Sequence, residues 1–261
     1  MKQLFAAGMY RCRKTTGILV AAGLCWLAAA LYYILAGCIA GGSLDASQAG
    51  SVTGLGDAMI VWLFGSLAIG LYVGKDFENK TIHGAMRYGR QRIVAGYVLM
   101  SSVLVLLLVL SYTAGSVICI ASGYDMGGAE KTAMSIYMGN IFAHASGAQA
   151  GKLALSYLAG AAVYIGQLSV CIPVAVKLKK PVAVTAFGFF FGMITALLAT
   201  LADKVSLFDK LYRLTPYAYG MDKIGADASM GDMGLGIAVS LIFTALMGLL
   251  SWALLRRADI K

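Results

Sequence analysis

Along this chain apolar residues do not alternate with polar ones; they run on. Six stretches, at about 17–40, 55–74, 93–121, 150–176, 182–201 and 233–255, have no charged residue in the middle. Asp57, Lys152 and Lys177 fall only at their ends. About 20 consecutive apolar residues cross the roughly 30 Å hydrocarbon layer of a bilayer. The period-2 alternation of a membrane β-barrel is missing. The pattern therefore predicts an all-α membrane protein with six transmembrane helices.

The polar intervals carry weaker signals. Residues 1–16, "MKQLFAAGMYRCRKTT", mix Leu4, Phe5, Met9 and Tyr10 with a basic cluster, which suits a short helix lying on a membrane surface. The interval 41–54 is small and polar, and 122–149 has glycines around an expected short helix at 129–138. In 202–232, Val205, Leu207, Phe208, Leu211, Tyr212 and Leu214 give an apolar face, and Pro216 biases Thr215 out of helical geometry. No repeat of 20–50 residues is visible, so residues 1–261 read as one domain.

Composition agrees with lipid as the solvent. Hydrophobic residues make up 60% and charged residues 13% of the 261, whereas a soluble domain carries about a quarter charged residues. The net charge of +9 would suit nucleic acid, but its distribution argues otherwise. Residues 1–16, 75–92, 177–181 and 256–261 hold 15 of the 21 basic residues, opposed only by Asp76, Glu78 and Asp259. The alternate intervals hold 9 of the 12 acids. Under the positive-inside bias the first set is cytoplasmic, with both termini inside and no role for nucleic acid. The first run, about 24 residues, exceeds a signal-peptide core and reads as an uncleaved span.

Several chemistries lack their residues. The five cysteines form no CxxC pair, and with two histidines no metal constellation is expected. "GAQAGKL" at 147–153 is one residue short of a phosphate loop, and Leu153 lacks the hydroxyl that ligates magnesium. "GMYRCRKT" at 8–15 has Arg13 where the second glycine belongs. "HASG" at 144–147 is not a serine-protease motif, and no HExxH occurs, which counts against an intramembrane enzyme. Ion-coupled transport needs ionisable groups at bilayer depth. The spans offer neutral ones such as Ser101, Ser102, Ser111, Gln167, Thr195 and Thr244, the residue types of helix-packing contacts.

One charged interval stands out. "KDFENKTIHGAMRYGRQR", residues 75–92, holds seven charged side chains between two long apolar runs. As a helix it places Ile82, Ala85, Met86, Gly89 and Ile93 on one weakly apolar stripe, with His83, Arg87 and Arg90 on another face. Asp76 and Glu78 would occupy its first turn, where acids suit the helix dipole. Gly89 is placed to end it before the third span. Either a docking helix or a solvated basic loop satisfies this spacing.

"FENKTIHGAMRYGRQRIVAGYV" resembles the segment after the second span in permeases of the type-2 exporter family of ATP-binding cassette transporters. Phe77, Glu78, Thr81 and Ile82 match the first part of that motif and Arg90 the second. Lys80 and Gly89 depart from it, and a proline common between the two parts is absent. The local match covers about 20 residues; six spans and a basic N-terminal helix extend it architecturally. The resemblance implies that residues 75–92 form a coupling helix. Phe77, Glu78, Thr81, Ile82, His83, Arg87 and Arg90 would then meet a separate ATPase subunit that binds the ATP and magnesium, leaving this chain without cofactor or enzymatic activity. It further implies a second permease copy, a bacterial plasma membrane, and outward movement of an amphipathic substrate such as an antimicrobial peptide or drug, serving export, immunity or antibiotic resistance. The alternatives are an ion-coupled secondary transporter or, further off, an intramembrane enzyme.

Overall fold

A computed structural model describes residues 2–44, 54–79, 82–85, 89–122, 150–202, 204–225 and 228–257. Among these there is no strand. The expected helix at 129–138, and Thr81 and Arg87, lie outside them.

Helix α1 (Lys2–Lys14) turns at Thr15 into α2 (Thr16–Ala40), the first span. Thr15 Oγ1 donates to the Arg11 carbonyl, occupying a helix-end acceptor at the corner. The second span begins as α3 (Asp57–Ile69), widens into a π-helical turn at Gly70–Gly74, and ends as α4 (Lys75–Glu78). A separate turn of helix, α5 (Ile82–Ala85), precedes α6 (Arg90–Ser122), the third span. The fourth span breaks at Ser169–Val170 between α7 (Ala150–Leu168) and α8 (Cys171–Leu178). Pro173, which has no N–H to give a helical carbonyl, lies just beyond that break. The fifth span is α9 (Pro181–Ala202). Then come α10 (Ser206–Tyr212), a 3-10 turn at Pro216–Ala218, α11 (Met221–Ile224) and the sixth span, α12 (Met230–Arg257).

Six helices are long and apolar enough to cross a membrane: Thr16–Ile39, Asp57–Glu78, Arg90–Cys119, Gly151–Leu178, Pro181–Ala199 and Met230–Arg257. They match the six stretches read from sequence, the second reaching Glu78 instead of stopping near residue 74. Asp76 and Glu78 are therefore not the first turn of a separate helix; they close the second span, because the wide turn carries the helix through Gly74 instead of ending it. The single charged helix expected over 75–92 is divided: α4, then α5, then Gly89 at φ +89. That left-handed value is one glycine adopts without strain, so the chain re-enters helix at Arg90 as the sequence suggested.

The fourth span packs against the sixth and the fifth against the second, with the second and third at the centre. The seam between spans two and five is built on small residues. A Cβ at Gly192 would enter the Trp62 ring, and one at Gly188 would collide with Ser66. This spacing, Gly188-x-x-x-Gly192, makes room for the Trp62 ring and the Ser66 side chain against the fifth span, close packing that in lipid is a main source of helix association. Most intramembrane hydroxyls satisfy themselves locally: Ser102 donates to Val98 O, Ser111 to Leu108 O, Thr195 to Gly192 O and Thr244 to Ser240 O. Gln167 instead joins elements, accepting from Trp62 Nε1 at 2.9 Å and donating to Pro216 O at 3.3 Å.

Candidate functional site

The end of the bundle that carries residues 75–92 is assembled around one carboxylate. Asp76, at the close of the second span, is buried. Arg11 of α1 pairs with it at 2.5 Å, and Tyr97 of the third span donates to the same oxygen at 3.0 Å. Arg11 also donates to the Tyr72 carbonyl at 3.1 Å and lies over the Tyr72 ring, 5.2 Å from its centre. The Tyr72 and Tyr97 rings meet edge to face at 6.2 Å. One guanidinium thus ties the N-terminal helix to the second span and, through Asp76, to Tyr97 of the third. Burial acts to lower the Arg11 pKa, but the hydrogen bond and charge of Asp76 outweigh it and hold the group above its ordinary value. Arg11 is a fixed cation here.

The segment beyond Asp76 alternates between anchored and free. Phe77 is buried, with the Lys179 ammonium 6.0 Å from its ring centre. Lys179 itself sits at φ 58, the left-handed turn that ends α8 and reverses the chain into the fifth span. Glu78 and Asn79 are exposed, while Ile82 is fully buried in the same core as Phe77. His83 belongs to the short helix α5. Arg90 is exposed and donates to the Arg256 carbonyl at 3.1 Å, capping the last turn of the sixth span. Arg256 in turn covers Trp252 at 5.0 Å.

Of the residues singled out from sequence, the structure therefore brings Phe77 and Ile82 into the core, leaves Glu78 facing outward, and gives Arg90 a contact within the chain. The Arg11–Asp76 pair was missed. Its signal was available: two opposite charges, each at the end of an apolar run, assigned to the same membrane side.

A second polar centre lies at the other end of the second span, 19 residues or about 28 Å away at 1.5 Å per residue. Asp57 is fully buried there, accepting from Tyr164 Oη at 2.9 Å. Tyr112 donates to Leu55 O and Tyr33 to Tyr112 O, each at 2.6 Å. Read from sequence, Asp57 was only a residue at a span end; its enclosure by tyrosines from three other spans was not foreseen. Among the described residues no group of three or more His, Cys, Asp or Glu side chains could hold a metal ion.

These features define a class: a multi-pass helical protein with six span-length helices and a part-buried ion pair that joins the N-terminal helix to the end of the second span. Compared with models of known protein families, with characterised proteins and with solved structures, the chain gives no match.

Proposed function

We propose that this chain is the membrane-spanning permease subunit of an ATP-driven exporter, energised by a separate ATP-binding cassette subunit that docks on residues 75–92. The observation that carries the reading is the short helix α5 after the second span, set off by Gly89, with Glu78 exposed beside it and Phe77 and Ile82 rooted in the core. A force applied to such a turn reaches the second span through Phe77 and the N-terminal helix through Asp76 and Arg11. That is the coupling a subunit needs when its energy comes from another chain. The local likeness to type-2 exporter permeases points the same way. In this reading both termini are cytoplasmic, the membrane is a bacterial plasma membrane, a second permease copy completes the pathway, and the cargo is amphipathic, an antimicrobial peptide or drug.

The test is reconstitution with the ATPase subunit from the same cell. Glu78→Ala and Arg87→Glu leave the spans folded but weaken association and substrate-stimulated ATP hydrolysis. Normal association and stimulation in both variants would remove the coupling role. One observation favours a second reading: the buried Asp57 is an ionisable group in a span-length helix, which marks ion paths. An ion-coupled transporter would move substrate alone in proteoliposomes under an ion gradient without ATP, and Asp57→Asn would stop it.

A further inference from the structure

Helix α1 does not close fully on the bundle. Between it, the first span and the third span lies a cleft of about 110 Å³, walled by Met9, Leu19, Ala22, Leu104 and Leu107 among others. Arg13 is the only charged residue on its lining among the described residues. Leu19 and Leu107 are each about half exposed, so the cleft opens sideways, towards the surface that hydrocarbon covers. A void of this size with apolar walls stays dry and accepts an apolar guest. On the third span its lining runs from Val103 to Leu108, five residues or about 8 Å at 1.5 Å per residue. That is within one leaflet of hydrocarbon, about 15 Å or half the bilayer core.

The rim has a sign. Arg11 is committed to Asp76, whereas Arg13 is exposed and makes no salt bridge among the described residues. Lys14 follows it, exposed, its ammonium 5.8 Å from the Tyr10 ring centre. The chain then enters the first span at Thr16. A dry apolar slot lined by Arg13, with Lys14 next to it and neither cation in a salt bridge among the described residues, matches one class of molecule. We propose that the cleft binds an acyl chain of an anionic membrane phospholipid, with Arg13 and Lys14 holding its phosphate. Bound there, the lipid would wedge α1 against spans one and three beside the Arg11–Asp76 pair, independently of whether an ATPase docks.

The full chain in phosphatidylcholine nanodiscs, doped with a phosphatidylglycerol probe carrying a photoreactive group on its acyl chain, tests this. Labelling is expected at Ala22 and Leu104. Arg13→Gln leaves the walls intact and should cut it about fivefold, the worth of one basic residue near an anionic surface. A phosphatidylcholine probe should label weakly and ignore that change. Ala22→Phe fills the slot and should abolish labelling; the milder Ala22→Leu, with unchanged thermal unfolding, guards against misfolding. Equal labelling by both probes, or label spread evenly over the outward leucines of spans five and six, overturns the proposal. So does a cleft that takes no label from either probe.

Discussion

The fourth and fifth spans are neighbours in sequence and opposites in environment. In the most apolar stretch of the fourth, 78% of residues are buried; in the fifth, 22% are. Yet the buried helix is the less apolar one, with a mean hydropathy of 1.7 against 2.1. In water the order would be reversed, since burial there follows from apolar surface leaving solvent. Here the solvent is itself apolar, so what belongs inside is whatever needs a partner: Ser156, Tyr164 and Gln167 in the fourth span. Val182, Phe190 and Leu197 of the fifth stay outside at no cost. Association then rests on close packing and polar contacts.

If that contrast is right, the same residue type should matter at the seam and not on the open face. Gly192→Leu, forced against Trp62, is expected to cost about 3 kcal/mol, the upper part of the overpacking range, read by thermal unfolding in detergent. Arg11→Ala removes the Arg11 cation from the buried Asp76 carboxylate. The loss of a buried pair runs to about 3–5 kcal/mol, reduced to about 2 because Arg11 is one-third exposed and Tyr97 still donates. Proteolytic release of α1 would report it. Gly234, with open space where its Cβ would be, should accept alanine and gain about 0.5 kcal/mol from lost chain freedom. A loss there comparable with Gly192→Leu would break the comparison.

The smallest effect is expected at Asp209, in α10. Arg213 hydrogen-bonds and pairs with it at 2.8 Å, and this holds the Asp209 carboxyl below its ordinary value. Because the folded-state pKa is lowered, the pair's contribution is complete above the ordinary carboxylate range, near pH 4. It fades as pH falls through the lowered value. The pair is exposed, so Asp209→Asn should leave unfolding unchanged within error at neutral pH, while a titration of its carboxyl carbon shows the downward shift.

The six spans were legible because lipid demands long uninterrupted apolar runs, and Gly89 and Pro216 were legible because their backbone restrictions are local. The ends of the second span were not. A π-turn at Gly70–Gly74 has no charge or proline to announce it, and what packs against its glycines is the chain reversal at Lys180–Pro181, a hundred residues away. Asp57 was read only as a span end and Asp76 only as a first-turn acid, because their partners, Tyr164 and Arg11, are distant in sequence. In the candidate coupling segment, the charged positions were visible from composition. That Phe77 and Ile82 are its roots follows only from packing.

The wide turn at Gly70–Gly74 also sets an angle. Each extra residue in a helix rotates everything after it by about 100°. Downstream of this turn, Asp76 and Phe77 face the bundle and Glu78 faces away. A helix one residue shorter would swing the carboxylate off Arg11 and turn Phe77 outward. The turn is thus a phase adjuster, a one-residue offset that decides which side of the second span meets the N-terminal helix and which meets whatever lies beyond.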